Sequence, residues 1–253
     1  MFFSQAQIDD LWVGLDEAAD NYRSLRERFV LRQFNTAGAR EHADHGFARR
    51  LGSMLRCIEN VYDILPPDRV DIPTGDETDD ATINIQAFVV NAFGCCENLA
   101  WLWVIERDIR RPNGAMLSQG RIGLGPDYDV VRGSFSQAFR DYLDTRRAWF
   151  DQLKDFRDAL AHRIPLYIPP FSVDPANAGQ WTALGAEADA ALFQGELDRE
   201  MQLREQQKAL THFAPIMTHS LNTARRVIFH GQLLADFSTV HEIGCEFLAE
   251  LDR

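Results

Sequence analysis

The feature that most constrains the fold is a long apolar segment in the middle of the chain, residues 81–110. Its large apolar residues leave no polar face, and they are Ile83, Ile85, Phe88, Val89, Val90, Phe93, Leu99, Leu102, Trp103, Val104 and Ile105. A buried strand can carry such a run, but this segment is several times longer than a strand, so its length favours a helix. A helix that is apolar on all sides is normally surrounded by other elements. The sequence therefore predicts a fold packed around one central helix.

The same segment is not expected to cross a membrane. Residues 83–105 include five polar side chains, Asn84, Gln86, Asn91, Glu97 and Asn98. Polar and charged groups are costly inside a bilayer. The chain starts MFFSQAQIDDLW, which lacks the basic region and apolar run of a signal peptide. The four cysteines match no zinc spacing and suit a reducing compartment, so we expect a cytoplasmic protein.

Two amphipathic segments precede the central helix. Residues 4–34 begin with a capping box, Ser4 and Gln7, and residues 39–65 end at Pro66. The first segment carries a heptad stripe made of Ile8, Leu11, Leu15, Ala18, Tyr22, Leu25 and Phe29. Such a stripe has to be covered, either by the rest of the bundle or by a partner protein.

A further amphipathic helix is predicted over residues 134–163. Its apolar stripe consists of Phe135, Phe139, Tyr142, Trp149, Leu153, Phe156 and Leu160. Ser134 with Gln137 predicts the start, and Pro165 predicts the end, because proline disfavours helical geometry in the residue before it. The proline-rich residues 165–185 are expected to run extended across the bundle surface.

The C-terminal third is also predicted to be helical. Residues 186–230 read as a helix with a kink at Pro215, Gly231 interrupts it, and residues 238–251 form a last helix capped by Thr239. We therefore expect an all-α protein, an antiparallel bundle of about five or six helices with long irregular loops. The organisation predicted is one domain over residues 1–253, with its core in residues 39–165.

Charge limits the possible partners. The net charge of −12 argues against broad, non-specific binding of nucleic acid, which needs a basic surface. Residues 132–163 are an exception, since they contain seven basic residues and five acidic ones. This segment is either a local anion-binding patch or simply a solvated helix face.

The candidate chemistry lies at the end of that segment, in the string RDALAH, which contains Arg157, Asp158 and His162. The string resembles the motif of the HEPN superfamily, whose helical-bundle domains carry an arginine, a polar residue and then a histidine. The resemblance covers roughly residues 39–170. It implies that these three residues match the family's arginine, polar residue and histidine in that order. It also implies a metal-independent RNase acting as a homodimer, with two motifs facing each other, or a protein that binds RNA or a nucleotide.

The same spacing also occurs at Arg40–His45 and at Arg225–His230, so context decides between the matches. Only the match at Arg157 ends a strongly amphipathic helix that stops abruptly.

RNA cleavage by internal attack needs a base for the 2′-hydroxyl proton, and His162 can serve because histidine titrates near neutral pH.

Arg157 would stabilise the charge on the phosphorus oxygens, and Asp158 would orient either partner. No metal or cofactor is needed. In the alternative interpretation, Arg157 and Asp158 form a surface ion pair, His162 favours the helix dipole, and the protein is a non-catalytic helical interaction or scaffold protein.

Helix geometry sets a condition on this site. Five residues turn an ideal helix by about 500°, which leaves Arg157 and His162 about 140° apart. They share one site only if the last turn before Pro165 unwinds or if a dimer brings them together.

The string EHADH also suggests a metal site. Its two histidines, His42 and His45, lack an identified third ligand, so no metal site is predicted.

Overall fold

The structure, a computed structural model, describes residues 2–220 and 225–253. Its helices are α1 (Gln5–Leu31), α2 (Ala37–Glu41), α3 (Arg49–Ile64), α4 (Gly75–Glu106), α5 (Asp129–Gly133), α6 (Gln137–Thr145), α7 (Arg147–His162), α8 (Ala178–Phe193), α9 (Leu197–Lys208) and α10 (Phe229–Leu251). A π-helical turn, His42–Ala48, joins α2 to α3, and 3-10 turns lie at Gln119–Arg121 and Pro175–Asn177. The strands are two residues each: β1 (Ser172–Val173), β2 (Thr211–His212), β3 (Ile216–Met217) and β4 (Val227–Ile228). The predicted all-α class is confirmed.

The central helix is α4, and it packs against α2, the π-helical turn, α3, α7 and α10. It begins six residues earlier than the apolar run, at a capping box in which Thr74 and Glu77 bond each other's backbone N–H groups. By length and composition α4 is the one described helix that could span a membrane, but 61% of its most apolar window is buried inside the protein. Such burial is typical of the core helix of a soluble bundle.

The helix direction follows from the contacts. Asn60 donates to Asn84 and Arg50 donates to Asn91, so residue numbers fall along α4 as they rise along α3. These sequence neighbours are therefore antiparallel, as short connections predict.

The last helix, α10, runs parallel to the first. Arg28 contacts Cys245 and Arg32 pairs with Asp252, so residue numbers rise together along the two helices. The predicted stripe of α1 is covered within the chain, because α1 packs against α10 and α3. The capping box at Ser4 and Gln7 is confirmed.

The single helix predicted over residues 134–163 is wrong. It is broken at Arg146, whose φ and ψ of −96° and 7° end α6 and start α7. The guanidinium of Arg146 stacks on Tyr142 and pairs with Glu242 of α10, which holds the break in place. The predicted capping box at Ser134 is also wrong. Ser136 caps α6, since its hydroxyl accepts from the N–H of Phe139.

The helix predicted over residues 186–230 is wrong as well. It ends where Gly195 adopts a positive φ of 77°, a conformation that glycine tolerates and that commonly ends helices. Pro215 lies in extended chain between the short strands rather than at a kink. Gly231 does not interrupt a helix but lies inside α10, and Thr239 is an internal residue whose hydroxyl donates to the carbonyl of Ala235.

The segment after α7 is extended only in its first part. Tyr167 pairs with Thr218 in an antiparallel bridge, and β1 pairs with β2. Contrary to the prediction for residues 165–185, helix α8 already starts at Ala178. Helices α8 and α9 form a hairpin with a small cluster of its own, and its tip exposes Leu192, Phe193, Leu197 and Met201.

Candidate phosphate-binding furrow

Arg157 is positioned by the packing of α7. The helix buries Phe150, Leu153, Phe156 and Ala159, and this turns Arg157 towards α4. There its Cζ lies 4.5 Å from the centre of the Phe93 ring, which is a cation–π contact. The guanidinium is therefore held against an aromatic face rather than extended freely into solvent.

Among residues 2–220 and 225–253, most of the donors of Arg157 have no acceptor. One Nη bonds Asp158 at 3.0 Å, and both side chains remain about one-third exposed. The Nε atom is buried and has no acceptor among the described residues. With one face fixed and one-third of the side chain exposed, the guanidinium can offer its Nη donors to a phosphate.

The side chain lines a pocket of about 400 Å³, which we call the Arg157 pocket. Its walls are Arg50, Val90, Phe93, Gly94, Glu97, Arg157, Leu160 and Ala161. Desolvation raises the pKa of Glu97, while the charges of Arg157 and Arg50 oppose that rise. Glu97 is an exposed residue, so this desolvation is partial. The pocket thus places two arginines around one carboxylate.

His162 does not join Arg157 in this chain. Helix α7 stays regular to its last residue, and the N–H of Arg163 bonds the carbonyl of Ala159 at 3.1 Å. Of the two conditions for a shared site, the unwinding of the last turn before Pro165 is not met, and the two side chains keep the angular separation of about 140°. His162 is exposed and does not line the Arg157 pocket. A site that uses both residues needs a second copy of the chain.

The outer end of α7 carries a different histidine contact. Nε2 of His219 lies 3.1 Å from Oδ2 of Asp155, and Oδ1 of the same carboxylate accepts from Arg163. Mainly because of the hydrogen bond from Arg163, the pKa of Asp155 is lowered. This group is a local ion-pair cluster that stabilises the end of α7.

Arg50 also lines a second, more polar pocket of about 420 Å³, which we call the histidine pocket. Its walls are Glu41, His42, His45, Gly46, Arg49, Arg50, Ser53, Asn91 and Asn98. Beyond it, sharing His45, Arg49 and Ser53, lies a further pocket of about 600 Å³ that adds Arg26 and Arg56. The three pockets adjoin one another through shared wall residues of α3 and the π-helical turn, with other wall residues from α1, α2, α4 and α7, and we call them together the furrow.

The furrow is locally basic although the chain is acidic. It brings together Arg26, Arg49, Arg50, Arg56 and Arg157. The carboxylates on its walls are Glu41, Asp44 and Glu97, and Asp44 is paired with Arg40. In residues 2–220 and 225–253, no group of three or more His, Cys, Asp or Glu side chains is placed to hold a metal ion. The furrow therefore suits an anion bound directly by arginine.

The sequence did not single out Arg50 or Phe93 as site residues, and it suggested His42 and His45 only as metal ligands or, for His45, as part of the Arg40–His45 match. One signal was present in α4, where Asn91 and Asn98 stand one heptad apart in a mostly apolar part of the helix. A second was the Arg49–Arg50 pair directly after the histidines. Polar residues on a buried helix predict a polar partner on whichever helix packs there.

No family model matches the chain, and comparison with curated proteins and with solved structures finds no significant match.

Proposed function

We propose that this protein is a HEPN-like RNA-binding protein of the cytoplasm, which binds the phosphates of single-stranded RNA along the furrow through Arg157 and Arg50. The carrying observation is the guanidinium of Arg157, fixed on Phe93 with its edge open to a pocket that Arg50 shares. Free, mostly buried cysteines support a reducing compartment. A furrow of three adjoining pockets favours an extended polyanion over a single nucleotide.

Phe93 contributes to the same proposal. Aromatic side chains beside basic ones are the usual means of binding single strands without reading sequence. The affinity would come from phosphate contacts and would fall with salt. The negative net charge would keep such binding confined to the furrow.

Cleavage by the RDALAH motif is the second part of the proposal and requires a homodimer. Arg157 of one copy and His162 of another would meet across a two-fold axis, because the helix separates them within one chain. Arg157 would stabilise the phosphorane charge and His162 would accept the 2′-hydroxyl proton. Asp158, bonded to Arg157, would orient the guanidinium.

Binding is tested with a short, fluorescent, mixed-sequence single-stranded RNA. Arg157→Ala is expected to weaken binding about tenfold, since a charged hydrogen bond contributes roughly 1.5 kcal/mol. The matched control is Arg199→Ala, because Arg199 is an exposed, ion-paired arginine of α9 outside the furrow. Equal affinities for wild type and Arg157→Ala would refute the proposal.

The composite site is tested by mixing variants. If cleavage uses the composite site, Arg157→Ala and His162→Ala are each inactive alone, and a mixture recovers part of the activity through mixed dimers. No recovery in a mixture shown by light scattering to contain dimers would rule out the composite site.

The alternative function is a non-catalytic helical interaction protein. The α8–α9 hairpin favours it, because Phe193 at its tip is 97% exposed. The stripe of α1 no longer favours it, since that stripe is covered within the chain. Under this alternative, Arg157→Ala would leave RNA binding unchanged.

A further inference from the structure

The histidine pocket is built around the π-helical turn His42–Ala48. Such turns are rare and occur frequently at functional sites. Here the turn brings Gly46 against α4, where a Cβ on Gly46 would lie 2.1 Å from Oδ1 of Asn98. Only glycine lets the side chain of Asn98 approach this closely. The turn and the asparagine are therefore fitted to each other.

Asn98 fixes the tautomer of His42. The Nδ2 of Asn98 donates to the carbonyl of Gly94 at 2.7 Å, so its Oδ1 is the atom that faces His42. This oxygen lies 3.0 Å from Nδ1 of His42, and an amide oxygen only accepts, so Nδ1 carries the proton. In the neutral ring the lone pair therefore lies on the other nitrogen, Nε2, which has no hydrogen-bond partner among the described residues.

The ring of His42 is also held by stacking. It lies parallel to Trp101, with centroids 5.7 Å apart and an interplanar angle of 4°. A histidine whose tautomer is set by an amide and whose ring is clamped by an aromatic is preorganised as a proton acceptor. Simple packing does not require both constraints.

A cation is fixed beside it in the same way. Two turns away on α4, Asn91 donates to the carbonyl of Ala87 and presents its oxygen to Arg50 at 3.3 Å. The guanidinium lies over Gly94, where a Cβ would come within 2.6 Å of its Cζ. Among the described residues no carboxylate forms a salt bridge with Arg50, although the charge of Glu97 acts on it across the Arg157 pocket, so its remaining donors are available to an anion.

We propose that His42 is a general base and Arg50 the phosphate-binding cation of a ribonuclease site contained in one chain, with Asn98 as the positioning residue. This inference rests on the proposed RNA binding in the furrow and replaces His162 of a second copy as the base. Because Arg50 lines both pockets, a strand whose phosphate binds Arg157 would place a neighbouring phosphate at Arg50.

The reaction is an internal transfer. His42 Nε2 takes the proton of a 2′-hydroxyl, the 2′-oxygen forms a bond to the phosphorus held by Arg50, and the bond from phosphorus to the 5′-oxygen breaks. Water protonates the departing 5′-oxygen, and the hydroxide formed removes the proton from His42. The products are a 2′,3′-cyclic phosphate and a 5′-hydroxyl end, with no change of oxidation state.

The test compares wild type, His42→Ala and His212→Ala on a short single-stranded RNA and on DNA of the same sequence. His42→Ala is expected to lower the cleavage rate by about 10²- to 10⁴-fold with RNA affinity kept. His212, an exposed histidine of β2 outside the furrow, is the control and should have no effect. DNA should bind without being cut, because it lacks the 2′-hydroxyl.

Two results would overturn the inference: His42→Ala cleaving as fast as wild type, or wild type binding RNA and cutting none. Both differ from failure of the proposed function, in which Arg157→Ala leaves RNA affinity unchanged. Loss of cleavage in His162→Ala alone would instead support the site shared between two copies.

The role of Asn98 in positioning His42 can be tested on the wild-type protein, so the result does not depend on whether a variant folds. In wild-type protein labelled with ¹⁵N-histidine, the nitrogen shifts of His42 should show a protonated Nδ1 and an unprotonated Nε2. The opposite tautomer would overturn the assignment. Asn98→Asp keeps an acceptor for Nδ1 and should retain more activity than Asn98→Ala.

Discussion

Asp236 of α10 is a buried carboxyl group with a strong expected effect on stability. It is 4% exposed and accepts hydrogen bonds from Trp149 at 2.9 Å and from Gln232 at 2.7 Å. Burial raises its pKa to about 6, although these two bonds lower it. In the unfolded chain an aspartate has a pKa of about 3.9.

The sign of the effect follows from these two values. Because the folded protein holds the proton more tightly, the contribution of Asp236 to stability is fully present below about pH 4 and is lost as pH rises through about 6. A shift of about two units corresponds to about 3 kcal/mol, at about 1.4 kcal/mol for each unit. Ionised Asp236 therefore destabilises the fold at pH 8 by up to about that amount.

Asp236→Asn removes this titration while keeping the size of the side chain and an oxygen for Trp149 and Gln232. We expect the variant to be more stable than wild type by up to about 3 kcal/mol at pH 8 and nearly equal to it at pH 4. Urea unfolding at both pH values measures the difference.

The stability of wild type alone does not isolate the effect of Asp236, because the contribution of His230 changes with pH in the opposite direction. The free energy of unfolding is therefore compared between wild type and Asp236→Asn at each pH. Burial lowers the pKa of His230 to about 4, so its contribution is present above about pH 6.5 and is lost as pH falls. A variant that is equally or less stable than wild type at pH 8 would refute the reasoning about Asp236.

Three further changes have defined outcomes. Gly46→Ala should lower stability by about 1–3 kcal/mol in thermal unfolding, because the added Cβ meets Asn98, and an undiminished melting temperature would contradict this contact. Gly231→Ala, where a Cβ meets nothing, should instead stabilise α10 by about 0.5–1 kcal/mol, and destabilisation would mean that the helix does not include this residue. Glu250→Ala should lower the free energy of unfolding by about 3 kcal/mol, because Glu250 is 2% exposed and accepts hydrogen bonds from Ser136 and Arg253. A loss below about 0.5 kcal/mol would show that these bonds contribute little to stability.

The parts of the fold that depend on local signals were predictable from the sequence. Helix α4 follows from its apolar run, and the start of α1 follows from the capping box at Ser4. Both signals lie within a few turns of chain and need no partner to be read.

The elements that were mispredicted depend on distant partners. The break at Arg146 has no glycine or proline to mark it and is held by Glu242, far away in the sequence. Strand β2 pairs with β1, which precedes α8 in the chain, and β3 pairs with β4, so helical periodicity could not exclude a continuous helix.

The candidate site divides in the same way. Arg157 was found because a helix end is visible in sequence, while its contact with Phe93 depends on how α7 packs against α4. The tautomer of His42 depends on Asn98, more than fifty residues away. A motif search finds residues at fixed spacing and cannot find such cross-helix pairs.

The salt dependence of RNA binding tests the central claim most directly. For single strands, the slope of log affinity against log salt becomes shallower by about 0.7 for each phosphate that the protein no longer neutralises. The double variant Arg50→Ala with Arg157→Ala should therefore show a slope shallower than wild type by about 1.4, and Arg199→Ala should show the wild-type slope. An unchanged slope in the double variant would show that RNA phosphates do not bind in the furrow.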